Sequence, residues 1–262
     1  MKIEQIIEQL EEIAPGAYAE NWDNVGLLVG TKQREAKRIL VALDATDSVI
    51  QQAVEQNVDL LITHHPMIFS SFKRVNDEDF IGRRIITLVE NHISYYAMHT
   101  NCDVCVMNEI AAKKMNLVAE DVLEGVKETN DGKMMGIGTV GHLDRPKSVE
   151  EIARQVKEQF GAQQVRVTGS LDHMVESIAV STGAGKSLID TAIEKGAQVL
   201  ITGDIDHHSA IDALAQGLQI IDAGHYGTEH FMVQYVADYL KNKNPGEIVV
   251  CEAQESDPFT LL

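Results

Sequence analysis

The strongest constraint on this chain's fold is a segment that occurs twice. Sliding the sequence by 139 residues sets 39–63 against 178–202 without a gap, and 10 of those 25 positions are identical. That is far more than unrelated segments of this length share, so an internal duplication is inferred. Each copy reads as a short apolar strand, a polar turn, a helix and a second apolar strand: 39–43, 44–48, a helix to 57 and 60–63 in the first copy. Each then continues through a helical stretch (81–90 or 209–215) into a further strand, 94–98 in the first copy and 219–222 in the second. Buried strands alternating with helices of this length predict βαβ units and a mostly parallel sheet in each half. The fold class is therefore α/β, built from two similar βαβ-containing halves, with a ligand site expected between them. The glycines of 124–138 break any long helix there, so the halves are expected at 1–124 and 125–262. A helix is expected over 148–160, and the C-terminal helix is expected to pack back on the first half.

At 262 residues the chain is long enough to bury a sizeable core, and 44% apolar with 24% charged residues is ordinary for a globular protein. Acidic residues outnumber basic ones 40 to 22, giving a formal charge of −18. Such a surface repels a phosphate backbone, which argues against nucleic acid as a partner. Residues 1–13 have a helical rhythm and lack the apolar run of a signal peptide, and no stretch approaches a membrane span. Three cysteines, Cys102, Cys105 and Cys251, cannot all pair within one chain, which suits a reducing compartment. The cytoplasm is the expected location.

In open parallel sheets, ligands gather beyond the carboxyl ends of the strands, where loops vary while the sheet fixes their origin. The strand at 60–63 delivers His64 and His65; its copy delivers Asp204, followed by Asp206, His207 and His208. The next strands deliver His99 with Asp103, and His225 with Glu229. Both latter pairs have a spacing of four, which on a helix puts imidazole and carboxylate on one face. His64 and His65 are adjacent, and alternation along a strand would send them in opposite directions, toward different metals. Three imidazoles, His64, His65 and His225, with two carboxylates, Asp103 and Glu229, suit a dinuclear site of zinc, iron, manganese, cobalt or nickel between the halves better than calcium. His99, Asp204, His207 and His208 are read as supporting partners, with His99 also a candidate for proton transfer. Two cations sharing a water make hydrolysis the natural reaction class.

Four strings carry a family resemblance: Asn-Trp-Asp-Asn-Val-Gly-Leu-Leu-Val-Gly (21–30), Leu-Ile-Thr-His-His-Pro-Met (61–67), His-Thr-Asn-Cys-Asp (99–103) and Gly-His-Tyr-Gly-Thr-Glu (224–229). In this order they resemble the GTP cyclohydrolase I type 2-like, or Nif3-like, family of dinuclear metal-centre hexameric proteins, in its short form without an inserted domain. The resemblance implies two divalent cations per subunit held by His64, His65, Asp103, His225 and Glu229, the last bridging both. It also implies a homohexamer with its sites facing an internal cavity. The family name points to hydrolytic opening of the guanine ring of GTP, hence to a nucleotide-like small-molecule substrate. Cys102 stands where the family more often has an apolar residue. A second reading, a non-catalytic metal-binding or regulatory assembly, stands beside the hydrolase because no substrate motif is evident.

Three other features need a place. Thr-Gly-Ala-Gly-Lys-Ser (182–187) lies between strand and helix, but Val180 occupies the position where a phosphate loop needs its first glycine. A tight turn is expected, with Gly185, Lys186 and Ser187 as a weaker candidate for holding an anion at a helix start. Cys102 and Cys105 form a C-x-x-C without a second pair, so buried thiols are expected. Trp22, Asp23 and Asn24 are expected to fix the N-terminal fold, with Asp23 and Asn24 able to hydrogen-bond the second nitrogen of a ligand histidine.

Overall fold

The computed structural model describes residues 1–260, which divide into two units: residues 1–102 with 231–260, and residues 103–230. The first unit contains helix α1 (Ile3–Ile13), strands β1 (Gly26–Val29) and β2 (Arg38–Ala42), and helix α2 (Asp47–Glu55). β3 (Leu60–Thr63), α3 (Phe80–Glu90), β4 (Ser94–Ala97) and the single turn α4 (Thr100–Cys102) follow. The second unit opens with a π-helical turn, Asp103–Met107, and α5 (Asn108–Met115). It continues through β5 (Val118–Glu128), β6 (Met134–Ser148), α6 (Val149–Gln159), β7 (Arg166–Thr168), β8 (Met174–Ala184) and α7 (Ile189–Glu194). β9 (Val199–Gly203), α8 (His207–Ala215), β10 (Gln219–Asp222) and α9 (His225–Glu229) complete it, and α10 (Phe231–Lys243) with β11 (Val249–Glu252) returns to the first unit.

The first unit's sheet has the order β1-β4-β3-β2-β11, with β11, β2, β3 and β4 mutually parallel and β1 antiparallel at the edge. Every residue of β3 and β4 is buried, as the unbroken apolar runs of strands covered on both faces require. Leu40, Leu61 and Tyr95 pack with Val49, Ile50 and Ala53 of α2 and with Ile85 and Leu88 of α3. The C-terminal helix belongs to this unit: Gln9 and Asn244 exchange side-chain hydrogen bonds at 3.0 and 2.8 Å, and the Tyr239 hydroxyl donates to the Gln9 carbonyl.

The second unit's sheet runs β5-β6-β8-β9-β10-β7. Only β8, β9 and β10 are parallel; β5, β6 and β7 join by antiparallel pairing, so this sheet is mixed and not mostly parallel as expected. Within the repeated segments the pairing matches: Ile39 opposes Leu60, and Ile178 opposes Val199. The expected boundary at 124–138 is instead the tip of the β5–β6 hairpin. Gly136 lies within β6, where an added Cβ would fall 1.9 Å from the Glu124 carbonyl oxygen, so this glycine admits a strand and does not break the chain. The division falls at residue 103 and again at 231, not once near 124.

No helix among the described residues is long and apolar enough to cross a membrane.

Candidate metal centre

In the first unit, β3 ends at Thr63, so His64 and His65 lie past the point where strand alternation holds. Their rings do not diverge: the centroids are 4.8 Å apart, and each lies 5.2 to 5.5 Å from the ring of His99, which follows β4. Nitrogens of the three imidazoles lie within 4.8 Å of one another. Tyr95 builds the loop that carries them. Its buried hydroxyl, pushed up to about 12 by desolvation, donates to the His65 carbonyl at 3.0 Å and accepts from the Met67 amide at 2.8 Å.

In the second unit, α9 places the His225 Nε2 atom 3.0 Å from Glu229 Oε2, the one-face arrangement that the spacing of four implies. A carboxylate oxygen of Asp103 lies within 4.8 Å of one of Glu229. Asp103 itself begins a π-helical turn, so the 3.6-residue period assumed for its spacing from His99 does not apply.

All four histidines are anchored through Nδ1. His64 Nδ1 lies 3.0 Å from the Met98 carbonyl, His65 Nδ1 3.0 Å from Asp44, His99 Nδ1 2.9 Å from Asp23 and His225 Nδ1 2.7 Å from Asp204. A carbonyl or carboxylate oxygen only accepts, so each ring carries a proton on Nδ1 and leaves Nε2 as the atom available to a ligand. This is how proteins orient and strengthen imidazole ligands for a metal, and the donor set fits a divalent cation on that ground. Asp204 reaches His225 from a left-handed backbone conformation, φ 58°, a strain typical of functional positions. Asp222, buried at the end of β10, accepts from the Ile205 and Gly224 amides and pairs with Arg166, fixing both loops around His225.

Of the residues read as supporting partners, His99 and Asp204 stand beside the candidate ligands. His207 and His208 do not: they are exposed in the first turn of α8, capped by Asp206, and among the described residues no potential metal-holding group includes them. Asp44 escaped the sequence reading because a lone aspartate in a polar turn carries no motif; its position just past β2 was the available signal.

The glycine-lysine turn serves the candidate ligands. Gly183 donates its amide to the Thr228 hydroxyl, Gly185 donates to the Gly203 carbonyl, and Lys186 pairs with Asp206 at 2.7 Å, so the Gly185 amide and the Lys186 ammonium have internal partners while Ser187 stands exposed. A Cβ at Gly183 (φ 65°) would sit 2.2 Å from Glu229 Oε1 and 3.3 Å from His225 Nε2. The turn leaves room for the Glu229 carboxylate. Cys102 is buried, and burial pushes the half-buried Cys105 thiol up to about 11, the opposite of a reactive cysteine; no disulfide forms among the described residues.

The fold and these clusters define a mixed α/β protein with His, Asp and Glu groups able to hold metal at the ends of its strands. The family model for DUF34/NIF3, NGG1p interacting factor 3, matches residues 1–258, and the chain belongs to that family. It is 33% identical over 272 aligned residues to a GTP cyclohydrolase 1 type 2 homolog of Clostridium perfringens, covering 100% of both chains. Among solved structures, HcgD from Methanocaldococcus jannaschii superposes with a TM-score of 0.82 at 32% identity, covering 96% of this chain and 97% of that one. A Bacillus cereus protein related to NIF3 shares the fold, with a TM-score of 0.91 at 24% identity and coverage of 100% and 99%.

Proposed function

We propose that the chain is a dinuclear-metal-dependent hydrolase of the GTP cyclohydrolase type, with His64, His65, Asp103, His225 and Glu229 sharing two divalent cations of the zinc, iron, manganese, cobalt or nickel class. The observation that carries this reading is the uniform anchoring of Nδ1 in the histidines of both donor sets. The naming of the Clostridium perfringens relative supports the substrate class. When bound, such a cation pair polarises a substrate oxygen and lowers the pKa of a shared water. The chain's own residues do the rest. Asp44 and Asp204 fix the ligand rings, and Glu229, sited in the space that Gly183 leaves, would offer its carboxylate to the metal. His99, held through Nδ1 by Asp23, takes up a proton at Nε2. A homohexamer working in the cytoplasm is part of the same proposal.

The test is turnover by the purified, metal-analysed full chain, following formate release from GTP. His65→Ala and Glu229→Ala are expected to abolish it; full activity in both variants overturns the assignment. Stoichiometric metal without turnover of any nucleotide would favour the non-catalytic metal-binding assembly.

A further inference from the structure

Three consecutive residues, Trp22, Asp23 and Asn24, do three different things. The fully buried Asp23 carboxylate takes the His99 Nδ1 proton and the Thr100 amide and hydroxyl. Asn24 donates its side-chain amide to the Ile68 carbonyl at 2.6 Å, bolting down the backbone that presents Phe69. Trp22 comes just ahead of these two anchors and just after Glu20, whose amide donates to the Thr100 hydroxyl at 2.9 Å; it stays 58% exposed, 5.8 Å from the ring of the 55% exposed Phe69 and edge-on to His99 at 6.1 Å. A large aromatic side chain held in water by a loop fixed on both sides is not a loose surface residue. It is a preformed apolar ledge whose inner end adjoins the His64, His65 and His99 cluster.

We infer that Trp22 and Phe69 form the binding ledge for a planar heteroaromatic ring of the purine class, a step that rests on the reading of metal at the adjoining imidazoles. An occupant that meets both features needs a π-face to lie on the indole and a Lewis-basic edge atom to turn toward the cation-holding end. An aliphatic or peptide segment supplies the first poorly, and a free phosphate supplies only the second. A purine has both, through its ring faces and its N7 and O6 acceptors. Stacking on an aromatic side chain tolerates different bases, so the ledge sets ring class, and the metal-facing edge sets which ring.

Trp22 is the chain's single tryptophan, so its fluorescence reports the ledge directly. Zinc-loaded full-length protein is titrated with guanosine, GTP and tripolyphosphate. Guanosine and GTP are expected to quench saturably, and tripolyphosphate is not. By calorimetry, Trp22→Ala is expected to weaken guanosine binding at least about tenfold and Trp22→Phe by only a few-fold. Zinc affinity is expected to stay within about twofold in both variants. Absence of saturable quenching by either ring compound overturns the inference, as does unchanged guanosine affinity in Trp22→Ala. So does quenching that depends on protein concentration alone, which would assign the ledge to a second copy of the chain. Ring binding without turnover keeps the ledge and removes the hydrolase reading; turnover with no ring-dependent quenching does the reverse.

Discussion

The Nδ1 atom of His225 lies 2.7 Å from the Asp204 carboxylate, and Asp204 adopts a left-handed backbone conformation to reach it. A residue that accepts strain to orient a ring should be felt in what that ring binds. Asp204→Ala is expected to weaken zinc binding by about 10- to 100-fold. Alanine adopts the left-handed conformation less readily than aspartate, so the thermal midpoint should fall as well. Chelator competition and calorimetry check the two halves of this expectation, and unchanged zinc affinity would show that His225 needs no support.

Gly183 faces the carboxylate of Glu229 so closely that a methyl group cannot be accommodated without moving it. Gly183→Ala is expected to lower bound metal per chain, measured by elemental analysis, while the chain still folds. The left-handed conformation alone costs about 1 kcal/mol in stability. Full metal occupancy in this variant would mean that Glu229 relocates freely.

The tail beyond β11 reaches back to the same chemistry. Gln52 clamps the backbone of Gln254 with two hydrogen bonds of 2.8 Å, and Glu255 accepts from the amides of Leu43 and Asp44, the residue that holds His65. Glu255→Ala strands those amides and should cost about 1 to 3 kcal/mol in stability together with a loss of zinc affinity. Glu255→Gln, which keeps an acceptor oxygen, should recover most of both. Equal defects in the two variants would show that the tail acts by charge alone.

Asp23 carries a pH signature. Burial raises its pKa, but hydrogen bonds from His99 and Thr100 outweigh it and hold the carboxyl down at about 2, against an ordinary 3.8. A depressed folded pKa contributes stability that is complete above about pH 4 and is lost as pH falls toward 2, about 2 kcal/mol in all. The stability difference between the native chain and Asp23→Asn should therefore be constant from neutral pH to about 5 and shrink below 4. Denaturant titrations across that range measure it; a difference that grows in acid would contradict the assignment.

Much of this was legible in the residues. Unbroken apolar runs such as 60–63 marked buried parallel strands, and the spacing of His225 and Glu229 marked one helical face, because both depend on local periodicity. What stayed hidden depended on contacts distant in sequence. Gly136 and Gly138 read as a break because a glycine that lets two strands approach is indistinguishable, in one dimension, from one that ends a helix. Asp44 carries no motif, and its partner His65 is 21 residues away. His207 and His208 misled in the opposite sense: a doubled histidine after a repeated strand looked like the counterpart of His64 and His65, but α8 begins there and turns both to solvent.

The interrupted layout of the first unit has a consequence for biosynthesis. Residues 103–230 form an unbroken stretch, whereas the sheet containing β2 lacks its neighbour β11 until residues 249–252 have been made. On a ribosome, the middle of the polypeptide can therefore mature while the earlier-made amino-terminal portion still waits for its closing strand. Chains released after residue 230 should show protease-resistant cores only from the middle segment, and limited digestion of such truncated products would reveal whether the order holds.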